Sequence, residues 1–319
     1  MAAMNNPNTL NNCKCLYVPK GAAREYAAVA CNFYRGCPYQ CKYCYNRKGL
    51  GAGMLGIGRV VMASKFTSPR YRPKGFIDLS PENFAMRTFV QEVKDHVDLL
   101  RSTGIFMSFI TDPMLSETHA LTLRAACFCA RLQIPVTILT KSTMPFRLLD
   151  PWFASPASTG DESIRDFVAF GFTLTGRDDV ERGAAIRFSS NRERIKAMRR
   201  LKELGFKTWA SIEPVVDFPS SYAMVRDSLP FCDHYKIGLM SKRGKDFPPY
   251  DPEECEDFVL AIDSLLTETH AGKSPGHQIR AYWKESVRNF MDGREAVQGV
   301  FALSPTSVGR DWNLFNANP

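Results

Sequence analysis

The sequence predicts an α/β fold built on a parallel sheet. From about residue 105, short β-branched or aromatic apolar runs alternate with amphipathic helical stretches, and the alternation repeats at the cadence of strand–helix–strand units. Size agrees: 319 residues, 45% of them hydrophobic and 23% charged, suffice for a sizeable core in one large domain or two small ones.

The first strand is expected in "EYAAVACNF" (25–33), and its return helix in "PENFAMRTFVQEVKDHVDLLRS" (81–102). Between them runs an unusually long connection, residues 45 to 80, holding "GLGAGMLGIG" and the basic "SKFTSPRYRPKG". The series continues with strand "GIFMSFI" and helix "SETHALTLRAACFCARLQ", then "PVTILT" with "MPFRLLDPWF", and "FVAFGFTLT" with "NRERIKAMRRLKELG". "KTWASIEP" with "SSYAMVRDSLPF", and "DHYKIGLM" with "PEECEDFVLAIDSLL", bring the total to six strand–helix pairs. The closing "SPTSVGRDWNLFNANP" is polar and reads as a loosely held tail.

In a parallel α/β barrel or open sheet, ligands bind at the carboxyl ends of the strands. Those ends read "CNFYRGC", "TDP", "LTKS", "TLTGR", "SIEP" and "KIG". Five of the six place polar or ionisable side chains directly after a buried strand, forming one ring of candidates.

Composition narrows the class. The longest apolar runs are too short to span a bilayer, and the N-terminus lacks a basic start followed by an apolar stretch. A cytosolic protein is expected. Ten cysteines spread over such a chain point to metal ligands or catalytic thiols rather than disulfides. The net charge of +8 favours an anionic partner such as nucleic acid, although the excess is diffuse.

Cys37, Cys41 and Cys44 stand as C-x3-C-x2-C in the loop after the first strand, among Gly36 and Pro38. A closed zinc site wants four ligands. Cys31 is the nearest candidate for a fourth but lies within the expected strand, and Cys13 and Cys15 are another, more distant candidate pair. In an iron–sulfur cube, three thiolates leave one iron without a protein ligand, which is the open position a reactive centre needs.

This spacing, with the aromatic Tyr43 just before the last cysteine, resembles the signature of the radical S-adenosylmethionine (SAM) superfamily. The resemblance implies a partial (β/α)6 barrel of the TIM type, residues 26–270, with extensions at 1–25 and 271–319. It also implies a [4Fe-4S] cluster on the three cysteines, SAM chelating the fourth iron, and a 5′-deoxyadenosyl radical that abstracts hydrogen. An electron donor such as flavodoxin or ferredoxin follows from the same resemblance. Tyr43 is then an adenine contact, against the plainer reading of packing on the cysteine loop.

"FITDPMLSETHALTLRAACFCARLQIPVTILTKS", "ASIEPVVD" and "HYKIG" are similar to the spore photoproduct lyase group, over roughly residues 26 to 240. Carried over, Lys141 pairs with the SAM carboxylate by a charge-assisted bond. Asp112 stands where the superfamily has the glutamate of "GGEP" and accepts from the SAM ammonium, without that motif's glycines. Thr173 or Thr175 bonds the ribose, and Glu213 meets SAM or substrate. Against each stands a solvated loop or a turn; Asp112 before Pro113 is ordinary turn chemistry.

The group's downstream hydrogen-donating cysteine has no counterpart between Cys44 and Cys127. Cys127 and Cys129 fall in an expected helix as buried thiols, which argues against photoproduct repair itself. The substrate reading is nucleic acid or nucleotide, the alternative a peptide or small metabolite. The rival from another class is a non-catalytic zinc protein that binds nucleic acid.

Three further features lie outside the cysteine loop and the strand ends. "GLGAGMLGIG" fits a lid better than a dinucleotide loop, since it does not join a strand to a helix. The six basic residues of "NRERIKAMRRLKELG" read as a solvated outer face. In "SKFTSPRYRPKG", Lys65, Arg70, Arg72 and Lys74 are candidates for phosphates, and Phe66 and Tyr71 for stacking on bases.

Overall fold

A computed structural model describes residues 7–39, 41–45, 58–71, 79–143, 163–181, 189–241, 243–270, 278–310 and 312–315. The chain divides into two compact units, one of residues 1–169 and 182–188 and one of 170–181 and 189–319.

In the first unit the strands are β1 (Leu16–Tyr17), β2 (Ala30–Cys31), β3 (Tyr34–Arg35), β4 (Val61–Met62), β5 (Ile105–Met107) and β6 (Val136–Thr140). The helices are α1 (Ser64–Thr67), α2 (Pro81–Asp95), α3 (Val97–Thr103), α4 (His119–Arg131) and α5 (Ser163–Phe167). β2 pairs parallel with β5, Cys31 opposite Met107, and β5 parallel with β6, Ile105 opposite Val136. β1 runs antiparallel along β2, with Leu16 opposite Cys31.

α2 forms where its end signals say it should. Ser80 caps it by accepting from Asn83 N at 3.2 Å, Pro81 opens it, and Phe84, Ala85, Phe89 and Val93 make one buried face. That face meets Phe33 and Phe66, with the Phe33 and Phe89 ring centroids 5.4 Å apart. The helix expected over 81–102 breaks at His96, whose φ of −128° and ψ of 24° are not helical, and α3 carries the chain on. Gly104 ends α3 at φ +68°, and a Cβ there would meet Pro135 O at 3.0 Å. Glycine is the residue that this turn into β5 admits.

In the second unit come β7 (Val168–Thr173, within which the division falls), α6 (Asp178–Glu181), α7 (Asn191–Glu203), β8 (Lys207–Val215) and α8 (Phe218–Ser228). They are followed by β9 (His234–Leu239), α9 (Pro252–His270), β10 (Arg280–Trp283), α10 (Glu285–Phe290) and α11 (Glu295–Leu303). β8 pairs parallel with β9, Trp209 opposite His234, and β9 parallel with β10, Tyr235 opposite Ala281. A capping box of Ser190 and Glu193 starts α7, and Asp217 caps α8 through Ser220 N at 2.8 Å.

All six expected strands are present as β2 and β5 to β9, in an α/β fold whose strands pair mostly in parallel. Closure into a barrel is not observed among the described residues. Both segments expected as extensions contribute a strand, β1 and β10. β10 was not anticipated, although "IRAYW" is an apolar, aromatic run of strand type.

The tail reading needs correction over its described part. Ala281 N donates to Thr306 O at 2.8 Å and Val308 N to Ala281 O at 3.0 Å, so this segment lies along β10. The Trp312 ring sits 4.4 Å from that of His234, and Lys207 Nζ reaches Leu314 O at 3.1 Å. These partners half-bury the rings of Trp312 and Phe315, which the polar composition concealed. No helix among the described residues is long and apolar enough to cross a membrane.

Candidate active site

The cysteine loop begins at β3 and returns at β4. Tyr34 lies opposite Met62 and Arg35 opposite Val61 in an antiparallel ribbon, and Gly58 N donates to Cys37 O at 3.2 Å. Gly36 takes φ +80°, a conformation that costs glycine little, and so turns the chain out of the ribbon into Cys37. Cys44 N donates to Cys41 O at 3.1 Å, closing a turn between the second and third cysteines. Cys37, Cys41 and Cys44 all pack on one apolar patch with Tyr39, Tyr43, Val60 and Leu115. The Tyr45 hydroxyl donates to Phe109 O, tying the loop to the turn after β5.

Two buried polar side chains join the strand exits. Asn32, directly after β2, accepts through Oδ1 from Ser108 Oγ at 2.6 Å and Phe109 N at 3.1 Å. Asp112 accepts through Oδ1 from Thr140 Oγ1 at 2.6 Å and Met114 N at 2.9 Å, and through Oδ2 from Lys141 N at 2.8 Å. A carboxylate offers about four lone-pair positions, so these donors leave about one. Burial pushes the Asp112 carboxyl above its ordinary range, while the bonds from Lys141, Thr140 and Met114 and the Lys141 charge oppose it.

Lys141 carries its ammonium 5.6 Å from the centre of the Tyr43 ring. Burial raises the Cys37 thiol well above its usual range; Asp112 adds to this and Lys141 opposes it. The structure therefore gathers Cys37, Cys41, Cys44, Tyr43, Asp112 and Lys141 in the first unit. The sequence does not single out Asn32, Thr140 and Tyr45, although Asn32 and Thr140 stand at strand ends, where polar residues mark a site.

The other predicted positions lie in the second unit. Thr173 and Thr175 are buried. The Thr173 carbonyl accepts from Arg194 Nη1 at 2.8 Å, and the Thr175 hydroxyl accepts from Arg177 N at 3.3 Å in a local turn. Arg194 is fully buried against Glu181 at 2.7 Å, so one of the six basic residues of α7 leaves the outer face. Of the others, Arg199 and Arg200 pair with Glu203 and Lys202 with Asp233, as a solvated face does. Glu213 on β8 is held through both carboxylate oxygens by Lys284 Nζ, at 2.8 and 2.7 Å. Lys284 follows the unanticipated β10 and was missed with it.

The donor set suits an iron–sulfur cube. Three thiols share one patch with an aromatic ring and a lysine, and thiolate is the ligand such clusters take. Among the described residues no three His, Cys, Asp or Glu side chains are grouped as ligands of a metal ion. Ligands of a cube do not converge on one point, because each thiolate meets its own iron. Metal binding at Cys37 must displace the thiol proton that burial retains there.

The family model for the radical SAM superfamily matches residues 31–217, from the end of β2 through the cysteine loop to the cap of α8. The chain belongs to the radical SAM superfamily. As a member it takes the cofactors of that superfamily, a [4Fe-4S] cluster and SAM. The match is at superfamily level and does not reach the spore photoproduct lyase group.

Among solved structures, the radical SAM chain is similar to Streptococcus suis SuiB, at 11% identity and a TM-score of 0.45, covering 81% of this chain and 49% of that one. For SuiB bound to S-adenosylmethionine the figures are 12%, 0.45, 85% and 52%. For SuiB bound to precursor peptide SuiA they are 12%, 0.42, 81% and 50%. The chain thus spans about half the length of these structures. At such identity and TM-score the likeness does not extend to substrate. No curated protein matches the chain.

Proposed function

We propose that this chain cleaves S-adenosylmethionine reductively and turns the resulting radical on a substrate. One observation carries the reading: three thiols, the Tyr43 ring, the Lys141 ammonium and the Asp112 carboxylate meet in the first unit. When bound, the cluster and SAM together supply a 5′-deoxyadenosyl radical that abstracts hydrogen. Cys37, Cys41 and Cys44 would hold the cluster through their thiolates.

The chain's own residues do the positioning. Tyr43 offers a ring face to the adenine, and Lys141 pairs with the methionyl carboxylate. Asp112 fixes the Lys141 backbone and keeps about one acceptor position for the SAM ammonium. In the second unit, Thr173 or Thr175 is the candidate for the ribose, although the Thr175 hydroxyl already serves its turn. Glu213 is the candidate for a donor group on SAM or substrate. Purification without oxygen tests the centre: roughly four irons per chain are expected, and a colourless protein holding a single zinc would overturn the proposal.

For the substrate, we infer nucleic acid or nucleotide from the +8 charge and from exposed Arg70, whose guanidinium lies 5.9 Å from the centre of the exposed Tyr71 ring. The stacking role expected of Phe66 does not hold, because that ring is buried against Phe33 and Phe84. Arg72 and Lys74, like most of "GLGAGMLGIG", lie outside the described residues. Photoproduct repair is not proposed: Cys129 is fully buried in α4, beside the half-buried Cys127. Four phosphate contacts to a single strand predict a log–log salt slope of roughly −3. Binding that is insensitive to salt, and equal after neutralising Lys65, Arg70, Arg72 and Lys74, would transfer the reading to a peptide or metabolite.

A further inference from the structure

We propose that Lys284 is a positioning residue that holds Glu213 as an oriented acceptor for a hydroxyl or amino group of a ligand. The proposal rests on the reading of Glu213 as a ligand contact and adds a residue that the family match, ending at 217, does not include. It stands on the geometry of three strand ends in the second unit.

Glu213 is the seventh residue of β8, Gly238 lies near the end of β9, and Lys284 follows β10 directly. The strands run parallel, so all three lie toward their carboxyl ends, where α/β folds bind ligands. The two partners differ in exposure. The Lys284 side chain is 2% exposed and that of Glu213 is 23% exposed, so the lysine is the buried member of the pair and the glutamate side chain the more exposed one.

The lysine is fixed along its length. Its N donates to Ile237 O at 2.9 Å, and its carbonyl accepts from Val287 N at 2.9 Å and Arg288 N at 3.1 Å, so it opens α10. Gly238 leaves the space: a Cβ there would stand 2.9 Å from Lys284 Cδ and 3.1 Å from Glu213 Cδ. Each Glu213 oxygen receives one bond from Nζ, which fixes the plane of the carboxylate. A carboxylate so placed attracts N–H and O–H donors and repels phosphate. SAM carries such donors in its ribose and amino groups, and a nucleic acid carries them on its base edges.

The test compares Glu213→Gln, Lys284→Met, Lys284→Arg and the double variant E213Q/K284M in the anaerobically prepared holoenzyme. Two probes are titrated, SAM alone and a mixed-sequence single-stranded oligonucleotide with SAM present. Glu213→Gln and Lys284→Met should each weaken the same probe roughly tenfold or more, Lys284→Arg should restore most of the loss, and the double variant should be no worse than either single one. Which probe responds identifies the source of the donor. The double variant is a neutral pair of similar volume, so it reports even where Lys284→Met alone folds poorly. If Glu213→Gln weakens a probe while both Lys284 variants bind as wild type, the positioning role is overturned and the Glu213 reading survives. If Glu213→Gln leaves both probes unchanged, that reading falls and the proposal with it.

Discussion

At the scale of single residues, most chemistry lies in side chains that each have one role. Cys37, Cys41 and Cys44 share a patch, and two thiolates do not retain a cube firmly. Replacing any one with Ala should therefore abolish both iron retention and SAM cleavage; full iron loading in one variant would show that the ligands are misassigned. Lys141 differs, because its backbone is held by Asp112 while its ammonium extends toward Tyr43. Lys141→Ala keeps that backbone bond and should leave the iron content normal. SAM affinity should fall roughly tenfold or more, since a charge-assisted bond contributes about 1.5–3 kcal/mol. Calorimetric titration with SAM checks this, and unchanged affinity would remove Lys141 from the site. These residues were legible because polar groups directly after apolar runs are few. Asn32 was not, since a polar residue beside the cysteines has a partner at Ser108, 76 residues away, that only folding supplies.

At the scale of elements, glycines set how closely strands and side chains approach. Gly171 in β7 is the sharpest case: a Cβ there would come within 2.1 Å of Trp209 Cε2, and Trp209 is one of the largest fully buried side chains. Gly171→Ala should destabilise the protein by about 1–3 kcal/mol or more through overpacking. A urea midpoint equal to that of the wild type would show that the indole has room to move. The helix over 81–102 gives the complementary lesson. Its apolar period is continuous in sequence, yet the chain breaks at His96 and resumes as α3, which buries Leu99 and Leu100 and ends at Gly104 for the entry into β5. Packing decides such a break, and periodicity does not report it.

At the scale of the whole molecule, burial makes titratable groups respond to acid. His234 on β9 is buried under the Trp312 ring, with Nδ1 2.9 Å from Arg280 O. Burial, with Lys236 adding to it, holds its pKa well below the usual value. The unfolded chain takes up a proton near pH 6.5 and the folded one resists it. This contribution to stability is thus fully present above about pH 6.5 and is lost as pH falls through the depressed folded value. The melting temperature should drop between pH 7 and 5, and His234→Gln should reduce that drop. An identical acid dependence in the variant would place the sensitivity elsewhere.

The sequence by itself determined the α/β class, the six strands of the series and the cysteine loop. Each is written locally, as apolar period, β-branched composition or a spacing of thiols, and local signals survive without a partner. Tertiary structure alone decided which polar side chains meet. Asp112 joins Thr140 and Lys141 across 28 and 29 residues, and Lys284 reaches back 71 residues to Glu213. It also decided that Phe66 is core rather than a stacking platform and that the tail through Val308 runs along β10. Such pairings depend on distances through space between residues far apart in the chain, and a linear pattern of residue types does not carry that distance.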